Sequence, residues 1–174
     1  MMIALASDHV GLELKNVVKE HLNARGEPWK DYGTYSSDCC NYPEYAWKAA
    51  RAVAGRECSL GILFCGTGIG MGIAANKVKG IRCGTCSDAY SAASSRKHNN
   101  ANMLALGERV VGKELALLIV DSFLDSTYEY GRHEVRLKQI QSIEDNAEPI
   151  SERSLAASKA HEIGPTKRIH DING

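Results

Sequence analysis

Two hydrophobic periods alternate along the chain. Short apolar or β-branched runs at residues 3–7, 28–32, 59–64, 81–86 and 102–106 have the length and composition of strands. Between them apolar positions recur at helical spacing: Leu14, Val17, Val18 and Leu22, then Tyr45, Ala49, Ala52 and Val53, and later Leu115, Leu118, Ile119 and Leu124. Gly26, Gly55 and Gly80 stand where such helices stop. A last helix is predicted over residues 132–145, after Tyr130-Gly131. From about residue 146 the periodicity fades into Ser, Glu, Lys and His with a Gly164-Pro165 break, which predicts a short helix at most and then a mobile tail. The domain reading is one folded domain over 1–146 and a C-terminal extension over 147–174.

Strands alternating with helices imply right-handed crossovers. The expected fold is α/β: a Rossmann-like, three-layer α/β/α sandwich around a five-stranded parallel sheet. Ligands of such sheets bind outside the carboxyl ends of the strands. Chemistry is therefore expected in Ser7-Asp8-His9, Gly33-Thr34-Tyr35-Ser36-Ser37, Cys65-Gly66-Thr67-Gly68-Ile69-Gly70, Ser87-Asp88-Ala89-Tyr90 and Gly107-Glu108-Arg109.

Composition narrows the partners. Among 174 residues, 21 Lys and Arg balance 21 Asp and Glu, so the basic excess that drives binding to nucleic acid or an anionic membrane is missing. The apolar stretch at 115–120 is too short for a bilayer span, and the apolar opening residues lack the basic flank of a secretory signal. A cytoplasmic location is expected, with neither nucleic-acid nor membrane partners. Cys39, Cys40, Cys58, Cys65, Cys83 and Cys86 then read as reduced thiols. Cys83 and Cys86 have metal-ligand spacing but fall in a predicted strand, where an offset of three places them on opposite faces. Vicinal Cys39-Cys40 reads as incidental, and His21, His161 and His170 as surface residues.

The glycine loop from Cys65 to Gly72 has amides suited to an oxyanion or phosphate. Spacing removes three familiar readings. The dinucleotide fingerprint needs a third glycine where Met71 or Ile73 stands, and a P-loop needs Gly-Lys-Ser/Thr where Met71-Gly72-Ile73 stands. A cysteine phosphatase needs an arginine where Met71 stands. What is left is a thiol at the mouth of a helix, whose dipole and amides lower a cysteine pKa from about 8.5 toward neutrality and suit it to proton abstraction. The plainer alternative is a small buried hydrophobe ending a strand.

His98 closes a predicted helix and is either an acid/base group or a charge facing the helix dipole. Arg132 and Arg136 are one turn apart, as a phosphate clamp or a solvated face, and Arg109 lies on the ligand edge.

Taken together, Ser7-Asp8-His9-Val10-Gly11, the Gly33 to Ser37 turn with Tyr42-Pro43, the Cys65 loop with Ala74-Ala75-Asn76-Lys77, Ser94-Ser95-Arg96-Lys97-His98-Asn99, Gly107-Glu108-Arg109-Val110-Val111-Gly112 and Gly131-Arg132-His133 resemble the ribose-5-phosphate isomerase B family, whose wider group includes allose- and galactose-6-phosphate isomerases. The resemblance runs from about residue 3 to residue 143. It implies metal-free, cofactor-free interconversion of ribose 5-phosphate and ribulose 5-phosphate through an enediolate. It also implies a homodimer with shared active sites, or a tetramer. By the same resemblance Cys65 is the base and His98 the ring-opening acid. Thr67 and the amides of Gly66, Gly68, Ile69 and Gly70 hold the enediolate oxygen, Asp8 and Asn99 the sugar hydroxyls, and His9, Arg109, Arg132 and Arg136 the phosphate, with His133 a lesser candidate. Substrate alternatives are allose or galactose 6-phosphate, and the non-enzymatic alternative is a sugar-phosphate-binding protein on the same fold.

Overall fold

The computed structural model describes residues 1–147. The described residues divide into two units, Met1–Tyr130 and one that begins at Gly131. In the first, β1 (Ile3–Ser7), β2 (Trp29–Asp31), β3 (Leu60–Cys65), β4 (Cys83–Thr85) and β5 (Met103–Gly107) form one parallel sheet in the order β2-β1-β3-β5-β4. Helices α1 (Leu12–Ala24), α2 (Tyr42–Ala54), α3 (Ile69–Ala75) and α4 (Ala89–Asn99) make the crossovers, and α5 (Lys113–Leu124) follows β5. The second unit contributes α6 (Arg132–Glu144). All but the first residue of the expected extension over 147–174 lies outside the described residues. Among the described residues no helix is long and apolar enough to cross a membrane.

Successive residues of a strand point to opposite faces, and the core divides accordingly. Ile3 and Leu5 of β1 pack with Leu14, Val18 and Leu22 of α1 and with Ala116, Ile119, Val120 and Phe123 of α5. Ala4, Ala6 and Leu63 face Ala46, Ala49, Ala50 and Val53 of α2 and Met71 of α3. Small residues on both sides of that second layer let α2 approach the strands closely. The inward face of α5 differs from the periodic positions read from sequence: Leu115 and Leu118 are exposed, because Ala116, Ile119, Val120 and Phe123 form the stripe against the sheet.

α1 begins at Gly11, which has no capping side chain, so its first amides are satisfied from elsewhere. Asp8 Oδ1 accepts from the amides of Val10 and Gly11, each at 2.9 Å, and Glu108 Oε2 accepts from Leu14 N at 3.0 Å. Two carboxylates from the ends of different strands thus fix where α1 starts.

Lys15, next to Leu14 on the same helix, is fully buried at 0% exposure. Its Nζ donates to Asp31 Oδ1 at 2.8 Å and to the Thr34 carbonyl at 2.6 Å, and Lys19 Nζ reaches the other Asp31 oxygen at 3.1 Å. Burial pulls the Lys15 ammonium below its usual range while the Asp31 carboxylate opposes that shift. The segment bound this way is also fastened to β1, through Ser7 N to Gly33 O at 2.6 Å and Thr34 N to Ser7 O at 2.7 Å. Breaking a buried ion pair from one side leaves the other charge without its partner. Lys15→Met is therefore expected to cost about 3 kcal/mol, read as a lower urea midpoint at unchanged slope. A midpoint equal to the parent's would show that the pair is dispensable.

Candidate active site

The chain leaves β1 toward β2 on one side and returns to β3 on the other, which opens a crevice between the carboxyl ends of β1 and β3. Asp8 and His9 follow β1 there, and Cys65 ends β3. Cys65 is 5% exposed, and its Sγ accepts the Gly68 amide at 3.1 Å. The loop after it lies directly on the end of β5. Glu108 N donates to Cys65 O at 2.9 Å and Arg109 N to Gly66 O at 3.0 Å.

Two glycines make this approach possible. Gly68 has φ +78°, and a Cβ there would stand 3.0 Å from the Leu106 carbonyl carbon. A Cβ on Gly107 would stand 2.6 Å from the carbonyl carbon of Thr67. Thr67 is exposed, and its Oγ1 accepts the Ile69 amide at 3.3 Å. The Tyr42 ring lies over Gly70, so that α2 walls one side of the loop.

Asp8 is buried and already holds two amides with one carboxylate oxygen. His9 Nδ1 accepts the Cys40 amide at 3.3 Å, with Cys40 Sγ at 3.8 Å. An acceptor at Nδ1 puts the proton of a neutral imidazole on Nε2, where it can meet an anion. Arg109 is exposed and runs its side chain along Gly66. The structure therefore gathers Asp8, His9, Cys65, Gly66, Thr67, Gly68, Ile69, Gly70 and Arg109 at one sheet edge.

His98 and Asn99 are elsewhere. α4 runs from the carboxyl end of β4 back toward the amino end of β5, and its eleven residues span about 16 Å. His98 thus ends on the amino edge, with its Nε2 3.7 Å from Glu129 Oε2. Within one chain His98 and Cys65 occupy opposite edges of the sheet. Arg132 and Arg136 sit one turn apart on α6, in the second unit.

Three positions change meaning. Glu108, in a ligand-edge segment, spends its carboxylate on α1. Cys40, read as incidental, supplies the amide that orients His9. His21, read as a surface residue, is half-buried with Nε2 2.7 Å from Asp121 Oδ1; His161 and His170 lie outside the described residues. Cys83 and Cys86 do face opposite layers, and burial pushes their thiols up to about 12 and about 11.

A model of the ribose/galactose isomerase family matches residues 3–140. The chain belongs to that family. Ribose-5-phosphate isomerase B of Escherichia coli is 54% identical over 142 residues, which are 82% of this chain and 95% of that protein. The D-erythrulose-4-phosphate isomerase of Pectobacterium atrosepticum is 42% identical over 80% of this chain and 93% of its own. The solved ribose-5-phosphate isomerase B of Clostridium thermocellum superimposes with a TM-score of 0.83 at 48% identity, covering 84% of this chain and 99% of that one. The parallel sheet and its helices are thus the isomerase fold of the family.

The backbone contact at Gly68 has a direct test in isomerase turnover. Gly68→Ala strains a left-handed backbone at φ +78° and crowds the end of β5 by a few tenths of an ångström, so the loop bearing Cys65 shifts and kcat is expected to fall about tenfold. Parental turnover in that variant would mean that the loop position is not critical.

Proposed function

We propose that this chain is an aldose-ketose isomerase interconverting D-ribose 5-phosphate and D-ribulose 5-phosphate without metal or cofactor. The observation that carries the reading is Cys65 at the β1/β3 crevice, its sulfur tied to the glycine loop by the Gly68 amide, in a member of this isomerase family. Deprotonating carbon beside a carbonyl is feasible only when the oxyanion is stabilised as it forms. Cys65 takes the C2 proton of the open-chain aldose and returns it to C1, while the C2 hydroxyl proton passes to the C1 oxygen. The amides of Gly68 and Ile69 are engaged within the loop by Cys65 Sγ and Thr67 Oγ1. The enediolate oxygen is therefore assigned chiefly to the Thr67 hydroxyl and the amides of Gly66 and Gly70. Asp8 and Asn99 hold sugar hydroxyls, and His9, Arg109, Arg132 and Arg136 hold the phosphate.

His98 opens the furanose ring, and its place on the amino edge supports its serving the site of a second copy. A two-fold dimer completes two such sites at once, because each chain lends what the other lacks. An exposed apolar rim beside the glycine loop, with Ile69 55% and Ile73 57% exposed, suits such a partner. A tetramer would add a second interface to the same pair. The Pectobacterium relative supports a second substrate reading, a shorter sugar phosphate in the same site.

One panel separates these readings: ribose, allose and galactose 6- or 5-phosphates and erythrulose 4-phosphate, turned over in D2O with a chelator present. Rapid turnover of ribose 5-phosphate with solvent deuterium entering the product is expected, and Cys65→Ala abolishes it while sugar-phosphate binding persists. Turnover confined to another sugar phosphate, loss on chelation, or survival in Cys65→Ala would each overturn a stated part. Mixing inactive Cys65→Ala and His98→Ala chains is expected to restore about a quarter of parental activity through hybrid dimers. No recovery from chains shown to exchange would place both groups in one subunit.

A further inference from the structure

We infer that Arg82 is a positioning residue for His98: its guanidinium holds the carboxyl end of α4 in the geometry that presents His98 to substrate. This rests on the reading of His98 as the ring-opening group. Arg82 itself never approaches the Cys65 loop in its own chain, since it precedes β4 on the amino edge.

Its backbone is fixed first. Arg82 N donates to Asn102 Oδ1 at 2.8 Å, and its carbonyl accepts from Asn102 N at 3.0 Å and Met103 N at 3.3 Å, so the residue is anchored to the start of β5. From that base Nε donates to the carbonyls of Asn99 at 3.1 Å and Asn100 at 3.0 Å, and Nη2 donates to Asn100 O at 2.8 Å. These carbonyls belong to the turn that ends α4, where acceptors lack intrahelical partners and the helix dipole favours a cation. Arg96 meets the same turn from within α4, with Nη1 2.7 Å from Ala101 O, and packs over the Phe123 ring. Burial and the neighbouring Arg82 charge lower Arg96 from its usual value, as expected for two guanidinium groups drawn to one turn.

α4 packs along α5, and Glu129 N donates to Lys97 O at 3.0 Å, so what the arginine contacts set is the position of its last turn rather than of the helix as a whole. Only Ala92 of its eleven residues is fully buried, and the turn it ends on has Asn100 in the left-handed region at φ 45°. At the far end Asp88 accepts the Ser91 amide at 2.7 Å, and at the His98 end the arginines do the work. Arg82 is the more informative to change, because it lies off the helix and borders a cavity of about 550 Å³ shared with Arg56, Ser59 and Asn102. Added guanidinium can reach that wall.

The experiment compares two reactions that differ only in ring opening. Ribose 5-phosphate is largely cyclic, whereas ribulose 5-phosphate, its 5-oxygen blocked, stays open-chain. In Arg82→Ala the kcat for ribose 5-phosphate is expected to fall about tenfold to a hundredfold with KM little changed, while exchange of the C1 proton of ribulose 5-phosphate into D2O stays within about threefold of the parent. Arg82→Lys, or guanidinium added to Arg82→Ala, recovers part of the lost kcat. Equal loss in both reactions, or no loss in either, overturns the inference. Should His98→Gln fail to show the same separation, the reading of His98 fails instead, and that result is distinguishable from a failure at Arg82 alone.

Discussion

Backbone lying against backbone is the contact on which the carboxyl edge depends. The Cys65 loop rests on the end of β5 because Gly68 and Gly107 place no Cβ between them. A chain of polar contacts then runs outward from β5. Glu108 reaches the Leu14 amide and sets the start of α1, α1 buries Lys15 against Asp31 and Thr34, and the segment beyond Asp31 leads to Cys40, whose amide meets His9 Nδ1. Cys65 and His9, which come from the ends of different strands and are proposed as base and phosphate ligand, thus share one frame. Displacing either glycine contact would disturb Cys65 at once and His9 by relay.

That frame was only partly legible in the sequence. The strands, the parallel order of crossovers and the edge bearing Cys65 follow from hydrophobic period and turn residues, because those are local signals that the fold leaves intact. Lys15 was not legible. A helical pattern scores lysine as polar and exposed, and its burial depends on Asp31 and the Thr34 carbonyl arriving from a distant loop. Cys40 was missed for the same reason, since nothing near residues 39–40 announces His9. Leu115 and Leu118 show the opposite error: apolar residues at helical spacing that point away from the sheet.

His98 shows a limit of another kind. Its position in sequence, at the end of a helix, was readable, but a helix that returns from the carboxyl edge necessarily delivers its last turn to the amino edge. Topology therefore forbids the pairing that chemistry asks for within one chain. The proposed two-fold dimer resolves that conflict without altering the fold, and the exposed Ile69 and Ile73 beside the loop are the apolar surface such an arrangement would cover.

Separating the two groups between edges also separates their demands. Moving a proton between adjacent carbons needs a base and oxyanion donors fixed to within a fraction of an ångström, and a loop pressed onto a central strand supplies that rigidity. Opening a ring needs a proton donor near a sugar oxygen, and the proposed donor, His98, is mounted on a helix end held by arginine side chains. The neutral net charge fits the proposed local binding of a single phosphate. His9 and Arg109 stand at the carboxyl edge, while Arg82 and Arg96 face main-chain carbonyls.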